Sequence, residues 1–213
     1  MGKLLNFTAF TIILALANYS ILTNARDPDI LKDFLIPTGL NPTNITSQLF
    51  TFTGFRELQN ANLTGKTTAL VSKASMVEFP VLEGQGVSVA ALMYPPSGMN
   101  PPHVHPRASE LLIVIQGVLE VGFVDSTNKL FVQTLEVPDM FIFPKGLVHY
   151  QINTRSDSPA YALGMFGSAN AGTVSLPSSV FESGISAQVL AQAFKTDVET
   201  ISKLIAANKI PDT

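Results

Sequence analysis

Gly98-Met99-Asn100-Pro101-Pro102-His103-Val104-His105-Pro106-Arg107-Ala108-Ser109-Glu110 runs directly into the apolar stretch Leu111-Leu112-Ile113-Val114-Ile115, which stops at Gln116-Gly117. The chain has only three histidines, and two of them stand here, two positions apart between prolines. In an extended segment residues i and i+2 point to the same face, so both imidazoles can share one metal ion. Glu110 follows His105 at five, the wrong parity for one continuous strand. Pro106 and Arg107-Ala108-Ser109 interrupt the strand, however, and let the phase reset. A carboxylate at the mouth of an apolar run needs a partner, because an unpaired buried charge is costly. The third histidine, His149, stands in Phe143-Pro144-Lys145-Gly146-Leu147-Val148-His149-Tyr150, on another expected strand. Three neutral nitrogens and one anionic oxygen suit Mn, Fe, Zn, Ni or Cu by donor type.

Around this segment the chain reads as a row of short strands: 87–94, 110–116, 118–124, 129–137, 140–143, 148–154 and 160–166. Gly117 marks a tight reversal and Asp125-Ser126-Thr127-Asn128 a hairpin loop. Pro95-Pro96 and Pro101-Pro102 read as strand stops, since proline cannot donate to a ladder. Closely spaced strands without interleaved helices predict an all-β barrel or sandwich rather than a parallel α/β sheet. The period then changes. Val189, Leu190, Ala193 and Phe194 share one helical face in 186–194, and Val198, Ile201, Leu204 and Ile205 form the stripe of a second helix. The second helix is expected to begin at Thr196, with Glu199 completing a capping box, and to end at Asn208 and Pro211. These stripes need a surface, either the chain's own barrel or a neighbouring subunit. Residues 26–63 show no clean period and read as an extended or irregular segment.

Lys3 precedes an apolar stretch from Leu4 to Leu16, followed by small residues at Thr23 and Ala25, the pattern of a secretory signal cleaved after Ala25, with Ala17 as the weaker site. Asn18 cuts the apolar run too short for a membrane span. In a secreted chain, Asn44-Ile45-Thr46 and Asn62-Leu63-Thr64 become acceptor sites for N-glycosylation at Asn44 and Asn62. Thirteen basic against sixteen acidic residues, with no Lys/Arg cluster, argue against a nucleic-acid surface. The absence of cysteine excludes disulfides, thiolate metal sites and thiol catalysis. A hydrophobic content of 46% with a net charge of −3 excludes a disordered chain.

The stretch 98–110 with Gly117 resembles the first cupin motif in its germin-like form, and 144–153 resembles the second. The likeness runs from Asp27-Pro28-Asp29 through Asn170-Ala171-Gly172-Thr173 into the C-terminal helices, so the chain resembles the plant germin-like proteins of the cupin superfamily. That resemblance implies a double-stranded β-helix (jelly-roll) barrel at 64–182, flanked by the 26–63 segment and a helical extension at 183–213. It implies manganese held by His103, His105, Glu110 and His149, an extracellular-matrix (apoplast) location, and a hexamer built as a trimer of dimers. Superoxide dismutation is an activity of some members. A non-catalytic wall or binding glycoprotein with a structural metal is the alternative. Ser97 and Pro138 stand where the two motifs usually open with glycine, and Leu35 stands where germins carry the first cysteine of a disulfide. Ala90 aligns with an asparagine of the oxalate-oxidising germins, which makes oxalate oxidase activity an unfavoured expectation.

Overall fold

The computed structural model describes residues 27–209; the expected leader 1–25 and Pro211 lie outside them. Among the described residues ten strands follow one another: β1 (Leu70–Ala74), β2 (Ser88–Tyr94), β3 (Met99–Val104), β4 (Glu110–Gln116), β5 (Leu119–Val124), β6 (Leu130–Leu135), β7 (Met140–Phe143), β8 (His149–Ile152), β9 (Ala160–Phe166) and β10 (Val174–Ser175). They form two five-stranded antiparallel sheets, ordered β1-β2-β9-β4-β7 and β10-β3-β8-β5-β6. This is the expected all-β jelly roll of the cupin fold. Alternation along each strand decides what faces inward. On β4, Glu110, Leu112 and Val114 are buried while Leu111 and Ile115 are exposed. Tyr94, Leu119, Val121, Phe143 and Ala162 complete the interior.

Strands β4, β7 and β9 coincide with their expected ranges, and four others are shorter by one to three residues. Pro95-Pro96 end β2 as expected, but Pro101-Pro102 lie inside β3, which corrects their reading as a stop. The register shifts between Asn100 and His103, so β3 carries an extra residue against β8. A bulge leaves backbone groups out of the ladder, and there a missing N–H costs nothing. Strand β1 was not anticipated. Its Ser72 and Lys73 hide the pattern, and pairing with β2 makes it a strand.

The segment before β1 is less extended than expected, with 3-10 turns at Pro42–Asn44, Ser47–Phe50 and Gly54–Asn60. The first has proline at its start and Asn41 as its cap, whose side chain accepts from Thr43 N at 3.0 Å. Beyond the barrel lie α1 (Leu176–Phe181), α2 (Ala187–Phe194) and α3 (Val198–Asn208). The capping box expected at Thr196 does not form. Lys195 ends α2 at φ 54 and Thr196 N donates back to Ala191 O at 2.9 Å, so Thr196 belongs to the end of α2. Asp197 caps α3 instead, accepting from Thr200 N at 2.8 Å. The stripes find part of their home in each other: Leu190, Ala191 and Ile201 form a small core with Val180 and Phe181 of α1. Val189, Phe194, Val198 and Leu204 remain exposed. Among the described residues no helix is long and apolar enough to cross a membrane.

Candidate metal centre

Strands from both sheets build the site. His103 on β3 stands directly opposite His149 on β8. His105 lies just past the end of β3, and Glu110 opens β4 in the other sheet, opposite Phe143 and Phe166. The interruption at 106–109 is therefore where the chain crosses between sheets. Strand parity does not apply across such a crossing, and Glu110 arrives on the inner face facing the histidines.

All four side chains are buried, and one ligand atom from each lies within 4.8 Å of all the others. Each imidazole Nδ1 contacts a backbone carbonyl: His103 with Pro101 O at 2.8 Å, His149 with Leu147 O at 2.8 Å and His105 with Gly172 O at 2.5 Å. A carbonyl only accepts, so Nδ1 carries the proton and donates, leaving Nε2 of each ring as the donor atom for a cation. Glu110 Oε2 lies 3.0 Å from His105 Nε2 and 3.3 Å from His149 Nε2. Lone pairs and a carboxylate at such spacing require positive charge between them, which protons on the rings or one divalent ion can supply. Bonds of ~2.1 Å to a single ion would bring opposed ligand atoms to about 4.2 Å, a contraction of a few tenths of an ångström at the widest pair. The residues fit a metal ion.

The electrostatics agree. Burial by itself would raise the Glu110 carboxyl, but contacts with His105 and His149 outweigh it and hold it at about 2. Burial, reinforced by the neighbouring His149, lowers His103 to about 4, so this ring stays neutral and able to ligate. Phe143 stacks on His149 with centroids 4.4 Å apart, and Phe166 meets His105 edge-on at 4.7 Å. A cavity of about 320 Å³ opens onto His103, His105 and Glu110, walled by Val71, Lys73, Val77, Val89, Ala90 and Asn170. Ala90 thus faces the site and supplies no polar atom there.

Sequence reasoning missed Asn100, whose Nδ2 lies 3.4 Å from His103 Nε2. In a regular strand residues three apart point to opposite faces, and only the bulge brings these two together. It also missed Gln151, on the same inner face as His149, and Tyr94, buried with a phenol raised by burial and by the charge of Glu110. Neither the Gln151 amide nor the Tyr94 hydroxyl has a hydrogen-bond partner among the described residues. Gly164 on β9 was likewise unread: a Cβ there would sit within 2.4 Å of Glu110 Oε1.

Residues 56–202 match the cupin family. Germin-like protein 9-3 of Oryza sativa subsp. japonica is 53% identical over 205 residues, covering 92% of each chain. Among solved structures, an oxalate oxidase superimposes with a TM-score of 0.77 at 29% identity, covering 85% of this chain and 97% of that one. Peruvianin-I, a cysteine peptidase from Thevetia peruviana latex, gives 0.61 at 28% identity, covering 70% and 96%.

Proposed function

We propose, from the premise that this chain belongs to the germin-like proteins of the cupin family, that it is a secreted manganese-binding protein of the plant extracellular matrix with superoxide dismutase activity. The observation that carries this reading is the convergence of every histidine in the chain on Glu110, each with Nδ1 committed to a carbonyl. His103, His105, Glu110 and His149 would hold the ion. Manganese held there would supply one-electron redox chemistry, the kind by which two superoxide ions and two protons become dioxygen and hydrogen peroxide. The chain itself fixes the ring orientations and, through Phe143, Phe166 and the barrel, shields the ligands from water on all sides but the cavity.

Oxalate oxidation is disfavoured. One structural neighbour is an oxalate oxidase, but Ala90 at the cavity wall offers no hydrogen-bond donor, and losing one donor at a charge-stabilising position typically costs ~10²–10³ in rate. Peptidase chemistry of the kind named for Peruvianin-I needs a thiol, and this chain has no cysteine. We further propose glycans at Asn44 and Asn62, both exposed, and a homohexamer arranged as a trimer of dimers. Leu111, Ile115, Met140 and Ile142 leave the outer face of one sheet apolar and uncovered, and Val189, Phe194, Val198 and Leu204 do so on the helices; both support subunit contacts.

The test uses protein purified from a plant or yeast secretory host. About one manganese per chain, dismutation lost in His103→Ala, and negligible peroxide release from oxalate are expected. Substoichiometric metal that His149→Ala does not reduce further would sink the reading. A monomer in light scattering at micromolar concentration would sink the assembly.

A further inference from the structure

The Nδ1 acceptors of the three histidines differ in origin. Pro101 O and Leu147 O lie two residues before His103 and His149, the first on β3 itself and the second in the turn that leads into β8. Gly172 O comes from a turn 67 residues beyond His105. The ring of His105 is therefore only as well placed as that turn, and the turn is gripped from two sides. Arg107, two residues past His105, donates from Nε to Asn170 O at 2.5 Å and from Nη2 to Asn170 Oδ1 at 2.9 Å, while its backbone N–H reaches Ala171 O at 3.1 Å. Its guanidinium also lies close against Gly172. A Cβ there would fall 2.6 Å from Nη2, 2.9 Å from Cζ and 3.0 Å from Nη1, and Gly172 has φ +72. On the other side Asp27 accepts from Ser168 Oγ at 2.6 Å and from Ala169 N at 2.5 Å, across 142 residues of chain.

We propose that Arg107 and Asp27 are positioning residues of the metal centre, acting through the turn 168–172 to hold the Gly172 carbonyl on His105 Nδ1. The proposal rests on the reading of the four side chains as a metal centre. Arg107 does so with a rigid fork, which one amine could not replace, since it engages the Asn170 carbonyl and side chain together and packs against Gly172, two residues on. Asp27 ties the start of the described chain to the same turn, so docking of the N-terminal arm and retention of metal are one event. Residues 170–173 also line the cavity, which makes the clamp part of its rim.

The experiment compares the mature chain with Arg107→Ala, Asp27→Ala and a control, Lys129→Ala, whose ammonium sits over Phe131 away from the site. Competition between protein and chelator for manganese should show ~10–100-fold weaker binding in Arg107→Ala, the usual cost of losing a partner that orients a ligand, and a smaller loss in Asp27→Ala. Lys129→Ala should match the parent. A second readout needs no metal. In protein with ¹⁵N-labelled histidine, the Nδ1–H signal of His105 should broaden by exchange in Arg107→Ala while those of His103 and His149, with acceptors only two residues away in the chain, persist. Unchanged manganese affinity with an unchanged His105 signal would overturn the proposal. So would loss of all three signals together in both Arg107→Ala and the milder Arg107→Lys, which would place the effect on the whole barrel. A parent protein that binds no manganese would instead overturn the metal reading, and the histidine signals would still decide the clamp.

Discussion

Gly164→Ala isolates the seating of Glu110. Gly164 lies on β9 between Ala90 of β2 and Leu112 of β4, so its backbone is held on both sides and cannot retreat. A Cβ there would stand 2.4 Å from Glu110 Oε1, 3.2 Å from Cδ and 3.4 Å from Cγ. Ordinary contact requires the carboxylate to withdraw by about 1 Å, a displacement that forfeits up to about half of the attraction at a packed contact. Its other oxygen holds His105 and His149 at 3.0 and 3.3 Å, so that movement breaks or bends both contacts. Overpacking of this kind costs ~1–3 kcal/mol. The stiffer unfolded chain returns ~0.4–1 kcal/mol, leaving a net loss of up to about 2.6 kcal/mol. Manganese affinity should fall ~10–100-fold, about 1.4–2.8 kcal/mol. Urea denaturation of the metal-free protein followed by circular dichroism reads the first quantity, and chelator competition the second. Gly167→Ala is the control, because a Cβ there meets nothing within 4 Å. Gly164→Ala binding manganese as tightly as Gly167→Ala would refute the claim that the glycine seats the ligand.

Ser97 stands exposed at φ 57, where a side chain is strained, so Ser97→Gly should stabilise the protein by up to about 1 kcal/mol in urea; a loss would show that the serine side chain contributes more than the strain costs. Asn153 is fully buried and joins Pro95 O at 3.0 Å, Ser158 O at 2.8 Å and Arg155 N at 3.0 Å, so Asn153→Ala should cost about 2–4 kcal/mol by leaving those groups unpaired, and a change under 1 kcal/mol would contradict this. The metal-free protein should lose stability on acidification. With the buried His103 lowered to about 4 against 6.5 when unfolded, the unfolded chain binds more protons between those values, so stability falls as pH drops through that window, by at most about 3 kcal/mol. An unfolding midpoint constant from pH 6.5 to 4.5 would contradict it.

The strands that read most clearly, β4, β7 and β9, are short runs of apolar residues bounded by turn signals, and their ends follow from local chemistry alone. The four ligands were legible for the same reason: residue type, the two-residue spacing of His103 and His105, and the scarcity of histidine need no knowledge of the fold. Strand β3 was legible only in part, because proline is read as a stop wherever the ladder is assumed regular. Strand β1 and helix α1 were not legible. Ser72 and Lys73 obscure the one, and the other is too short to show a period, its Val180 and Phe181 packing against α2 and α3.

What the sequence by itself determined is the chemistry of the centre and the class of the fold, since the first follows from residue type, the His103–His105 spacing and the scarcity of histidine, and the second from runs of residues read locally. What only the tertiary structure decided is how the centre is held. The contact of Asn100 with His103 depends on a bulge whose register is set by β8. The seat of Glu110 depends on the absence of a side chain at Gly164, 54 residues on along the chain and one strand away. The orientation of His105 depends on a carbonyl 67 residues distant, itself fixed by Arg107 and Asp27. Such contacts carry no local pattern. They arise when sheet pairing brings remote segments to one place, and neither periodicity nor composition records which atoms will meet there.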